Sequence, residues 1–154
     1  MDLEALKALF EDFELADFLP KLDDVVGWVE MLLRICVMAG PLLLLGFGLL
    51  YLLAPPKEAN HSLGYRCWWG MSSLDAWQFT QHTAGLVWSA LGTALTIIMA
   101  LICNGFRRME PMDMVWQAVK CLGWELVLIV IACLAVNISV FARFDKDGYR
   151  RGIQ

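Results

Sequence analysis

Three long apolar runs constrain this chain more than anything else in it. They cover residues 35–54, 74–103 and 121–142. Each is at least as long as a bilayer span, which takes roughly 20 predominantly apolar residues. The 154 residues suit a single domain, and the mean hydropathy of +0.59 comes mainly from these runs. The expected fold is an all-α membrane protein: three transmembrane helices preceded by an acidic amphipathic surface helix.

The N-terminus does not read as a signal peptide. It opens with Asp2 and Glu4 rather than basic residues, and the first apolar run starts too late. Residues 2–18 predict a short amphipathic helix with Leu3, Leu6, Leu9, Phe10 and Phe13 on one face and acids opposite. Its acidity is unusual for a membrane-surface helix, so it lies on lipid by its apolar face alone or packs on a partner protein. Pro20 ends it, and Asp23 or Asp24 is placed to cap a second helix carrying Trp28, Glu30 and Arg34. The organisation is therefore read as residues 1–32, amphipathic and interfacial, and residues 33–154, the three-span domain.

In the first span Gly40, Pro41, Gly46 and Gly48 are tolerable only because membrane helices accept such residues. Pro41 is expected to kink it, and Pro55-Pro56 closes it. The second helix starts at Ser72 or Ser73, where Ser72 and Asp75 have capping-box spacing. About 30 residues of helix measure about 45 Å at 1.5 Å each, longer than the hydrocarbon core, so the first turns are expected to project. Gly85, Ser89, Gly92, Thr93, Thr96 and Ala100 form a strip of small residues, a helix-packing face also open to self-association into a homo-oligomer.

Few residues carry charge or polarity into the slab. Arg34 and Glu125 fall at the same end and at similar depth, and a lone charge there costs a few kcal/mol. An Arg34–Glu125 contact is the expected relief, with Glu30, one turn from Arg34, as the competitor. Asn137 reads as interhelical hydrogen-bond glue and His82 as an interface histidine. The Lys and Arg counts on the two sides tie. Setting aside Lys7 as too far from a span tips the balance toward a cytoplasmic first loop and tail.

Several function classes are excluded. Net charge −4 without a dense basic patch argues against nucleic-acid binding. The five cysteines have no CxxC or zinc spacing and read as small packing residues, so no metal or other cofactor is expected. Residues 145–148, Asp-Lys-Asp-Gly, read as a turn rather than a calcium loop. Cys67 and His61 share a loop, but nothing orients the histidine, and no acid pair or phosphate loop appears. The chain is read as a non-enzyme.

The first loop is the most distinctive segment. It runs Pro55-Pro56-Lys57, then Asn60, then Gly64-Tyr65-Arg66, then Met71, Ser73, Trp77, Phe79, Gln81 and Gly85. This pattern resembles the SdpI family over roughly residues 42–103, with the third span compatible. The family is named for a bacterial immunity protein against a secreted killing factor. Its pattern is an Asn, a Gly-Tyr-Arg-Thr loop, a Ser-rich turn, and a Trp opening a membrane helix with an amide one turn later. Here Cys67 stands in place of the Thr, Trp68 and Trp69 in place of Pro and polar residues, and Gln81 in place of Asn. The resemblance implies a bacterial multi-pass protein of the cell membrane that protects its cell from a membrane-active peptide toxin. In the named member it also implies sequestration of a transcriptional repressor.

Physical chemistry reads the same residues independently. Gly64 offers a backbone conformation that others resist. Tyr65 and the tryptophans suit the membrane–water boundary, and Arg66 placed there meets lipid phosphate or the end of a helix. Trp77 and Gln81 are one turn apart on one side of their helix. The expected arrangement is a folded-back loop with Asn60, Arg66 and Gln81 as a polar cluster under a Trp lid. The plainer alternative is an aromatic belt with a solvated Arg66. Beside the immunity or signalling role, which needs a toxin or regulator partner, stand two alternatives. One is a structural subunit of a larger membrane assembly. The other is a small oligomeric transporter or lipid-binding protein with Arg66, His82, Glu125 and Asn137 along its path.

Overall fold

A computed structural model describes residues 22–58 and 63–151. The amphipathic helix expected over residues 2–18, and Asn60 with His61, lie outside the described residues. The described chain is three helices: α1, Leu22–Leu53; α2, Leu74–Asn104; and α3, Pro111–Arg143. All three are long and apolar enough to cross a membrane. A helix suits that setting because it satisfies its own backbone hydrogen bonds where no water is available.

The helices are longer than the apolar runs that announce them. The interfacial helix and the first span, expected as separate pieces, are one continuous helix, with Asp23 and Asp24 inside it. Residues 28–39 contain no Gly or Pro to interrupt it. Pro41 lies within α1 with its side chain fully buried. α3 starts ten residues before its apolar run, at Pro111. Proline suits a first helical position because it lacks only an N–H that would be unpaired there anyway. α2 is capped by Ser73, whose Oγ accepts from the Ala76 N–H at 3.1 Å. The capping box expected at Ser72 does not form, because Ser72 Oγ donates instead to the Trp69 carbonyl of a short 3₁₀ turn, Trp69–Met71, at 2.9 Å.

Small residues set how closely α1 and α2 approach. A Cβ added at Gly92 would lie 2.5 Å from the Leu45 backbone nitrogen, and one at Gly85 would lie 2.8 Å from Leu52 Cγ. One added at Gly48 would collide with the backbone of Trp88 and Ser89. Gly85, Ser89 and Gly92 thus face α1 within the chain, whereas Thr93 and Ala100 of the same expected strip are exposed. Thr96, half-buried, bonds back to the Gly92 carbonyl at 2.7 Å.

These contacts also fix the register. Leu45 meets Gly92, Gly48 meets Ser89, and Leu52 meets Gly85, so α1 and α2 run antiparallel. α1 therefore ends level with about residue 84 of α2. Residues 74–84, about 15 Å at 1.5 Å per residue, project beyond it. α3 leans on both, with Val136 packed against Tyr51 and Ala84. A core including Val37, Leu44, Leu95 and Met99 fills the other half. Large aliphatic residues such as Leu43, Leu101, Leu126 and Ile138 cover the outer surface. In water that surface would be an aggregation patch; in a bilayer it meets its own kind.

Candidate functional site: a loop fastened over the projecting end of helix two

The projecting turns of α2 are wrapped by the first loop and the C-terminal tail. Gln81 holds the loop in place. Its side-chain amide lies flat against the Tyr65 backbone, accepting from the Tyr65 N–H at 2.8 Å and donating to the Tyr65 carbonyl at 2.8 Å. Gln81 is fully buried, so both halves of its amide and both backbone groups of Tyr65 are satisfied by one contact. One turn earlier Trp77, also fully buried, donates from Nε1 to the Pro56 carbonyl at 2.8 Å, tying down the start of the loop. Gly64 fits between the two. Its φ is +121°, and an added Cβ would lie 2.7 Å from the Trp77 ring and 3.1 Å from Gln81 Oε1. Glycine is required there on both counts.

With its backbone clamped, Tyr65 enters the bundle. Its ring stands edge-on to Trp88, with centroids 5.3 Å apart. Its hydroxyl donates to Asn137 Oδ1 at 3.0 Å and approaches the Cys133 carbonyl at 3.2 Å. Burial, reinforced by Cys133, pushes the phenol above its ordinary pKa, so it remains a donor at physiological pH. Asn137 thus ties the loop to α3 rather than joining two helices. Gly70 closes the turn: a Cβ there would collide with Thr80 Oγ1, and its N–H donates to Cys67 Sγ at 3.3 Å.

The tail completes the wrapping. Asp145 Oδ1 accepts from the N–H groups of Asp147 and Tyr149, at 3.0 and 2.8 Å, making the turn expected for this segment. Gly148, at φ +80°, presents its carbonyl to Ser73 Oγ at 2.8 Å. Ser73 therefore caps α2 and docks the tail. Arg143 stacks on Phe79 at 4.9 Å and Phe144 is fully buried.

The structure gathers Gly64, Tyr65, Ser73, Trp77, Gln81 and Asn137 at this end of the bundle. Arg66 is exposed beside the cluster. Trp77 lies beneath the loop rather than over it, while Trp68 points outward, 83% exposed. His82 is exposed on α2. The Pro56 carbonyl, Gly70, Thr80 and Gly148 belong to the arrangement too. Of these, Pro56 was legible as a helix end and Gly148 as part of a turn, but not their contacts, because a carbonyl acceptor looks the same in every residue.

Arg34 and Glu125 sit at the opposite end of the bundle. Arg34 pairs with Glu30 on its own helix, not with Glu125. A glutamate one turn N-terminal to an arginine is the favoured arrangement within a helix. Glu125, 3% exposed, points at the bare backbone of Gly40, where an added Cβ would lie 2.8 Å from its Oε2. Its Oε1 has no hydrogen-bond partner, and neither does Arg34 Nε. An unsatisfied buried polar atom costs about 1–3 kcal/mol. Glu125→Met, which removes it at similar length, is expected to raise the detergent unfolding midpoint. A lower midpoint would mean that Glu125 holds a stabilising contact.

Among the described residues no group of three or more His, Cys, Asp or Glu is placed to hold a metal ion. No curated protein and no solved structure matches the chain. A family profile does, that of the SdpI/YfhL protein family, over residues 56–142. The match begins at the residue whose carbonyl Trp77 holds and ends beside Arg143. It spans the clamped loop, α2 and nearly all of α3, more than half of the sequence. On that ground this three-helix membrane protein belongs to the SdpI/YfhL protein family.

Proposed function

We propose that the protein is a bacterial cell-membrane immunity or signalling module that binds a membrane-active peptide toxin or a regulator and does no chemistry on it. The observation that carries this reading is the fastened first loop. Gln81, Trp77 and Asn137 hold its backbone and Tyr65 from within. Arg66 and Trp68 stay on the outside, a cation and an indole at the membrane boundary. A rigid loop presenting an aromatic and an arginine loses little entropy on binding, and such residues dominate binding hot spots. Loop and tail would lie on the cytoplasmic side, following the balance of basic residues.

Expression of this chain alone should protect a toxin-sensitive bacterial host. Arg66→Ala combined with Trp68→Ala should abolish protection while the protein remains folded and inserted in the membrane. Full protection by that double variant would dismiss the loop as the binding surface.

A further inference from the structure

Beside the clamped loop lies a separate groove of 310 Å³, lined by Tyr51, Leu52, Pro55, Pro56, Lys57, Gln78 and His82. Its position follows from the helix register. Leu52 meets Gly85, so His82 on α2 stands level with the Pro55-Pro56 exit from α1. This is the height at which the apolar run of α1 gives way to Lys57 and polar surface. Gln78 and His82 are one turn apart and face the same way. The wall they face is stiff, because Trp77 holds the Pro56 carbonyl.

The lining has two characters. Leu52 and the prolines are apolar, with Leu52 about one turn deeper toward the bilayer than His82. Lys57, Gln78 and His82 bring N–H donors to the upper end, and the histidine ring keeps a donor in either charge state. Among the described residues no carboxylate lines the groove: the neighbouring Glu58 is exposed and not among the walls. Converging donors with a cation above an apolar slot, at headgroup height, match one occupant by charge and by depth. We infer that this groove binds an anionic phospholipid, with its phosphate against Lys57, Gln78 and His82 and the start of an acyl chain along Leu52. This site is independent of the toxin-binding reading.

The test uses the full chain purified in neutral detergent. Phosphatidylglycerol, phosphatidylcholine of the same acyl chains, and inorganic phosphate are added separately. Retention is measured by native mass spectrometry and the unfolding midpoint by heating. Phosphatidylglycerol should be retained and raise the midpoint, whereas phosphatidylcholine and inorganic phosphate should do neither. Lys57→Ala with His82→Ala should weaken phosphatidylglycerol retention by about tenfold, the scale of losing charge-assisted contacts. Gln78→Trp, which fills the groove and keeps its charges, should weaken it as well. Equal retention of phosphatidylcholine would overturn the inference, and so would displacement of phosphatidylglycerol by inorganic phosphate, which would make the site one for a free anion. Unchanged retention in both variants would also overturn it and leave the groove to a peptide.

Discussion

Replacing Gln81 with leucine should release the first loop from the bundle. The leucine fills similar space but leaves the Tyr65 N–H and carbonyl without the two partners they have at 2.8 Å. Orphaning both groups costs about 2–6 kcal/mol, taking the usual range for each. Tyr65 would then lose its approach to Asn137, and Cys67, which packs from the loop against Ala76, Val140 and Phe144, would be uncovered. The expected result is a lower unfolding midpoint together with faster maleimide labelling of Cys67. Gln81→Glu should fall between the two, because a carboxylate still accepts from the Tyr65 N–H but cannot donate to its carbonyl. If Gln81→Leu matched the parent in both stability and Cys67 labelling, the amide would not be what holds the loop. Loss of toxin protection in this variant would connect the clamp to function, since Arg66 and Trp68 would no longer be held in place.

The second large effect is expected at Gly92. Valine there would drive a branched side chain into the Leu45 backbone, whose nitrogen lies 2.5 Å from the Cβ position. A flexible side chain could move aside, but backbone cannot, so α1 and α2 would have to separate along the strip. Overpacking of this kind costs about 1–3 kcal/mol and sometimes more, and a clash with helix backbone belongs at the upper end. Gly46→Ala and Gly123→Ala are the controls, since nothing lies within 4 Å of a Cβ at either position. They should leave the unfolding midpoint unchanged or slightly raised, in keeping with alanine's better helix propensity. A Gly92→Val protein as stable as these controls would show that close backbone approach does not hold the two helices together.

Parts of the candidate site could be read ahead of the structure. Gly64, Trp77 and Gln81 stand out through spacing and residue type, and the structure places them in one contact. The tail could not be read that way. Nothing in residues 144–151 signals that Gly148 will meet Ser73, because that meeting requires α2 and α3 both to project past the end of α1. Pairing of charges was no more legible. Depth along the helix suggested Arg34 with Glu125, but the rotation of α3 turns Glu125 toward Gly40, and Arg34 has Glu30 one turn away.

The amino-acid sequence by itself determined that this chain has three helices able to cross a bilayer, where their apolar cores lie, and that the first loop carries a family pattern. Those properties depend on apolar content within windows of about 20 residues and on the spacing of a few residue types. The tertiary structure decided which polar groups meet: Gln81 with the Tyr65 backbone, Asn137 with the Tyr65 hydroxyl, Ser73 with the tail, and Glu125 with no partner for Oε1. These pairings depend on helix rotation and register. Between α1 and α2 both are set by where Gly48, Gly85 and Gly92 let two helices approach closely, and no single helix contains that information.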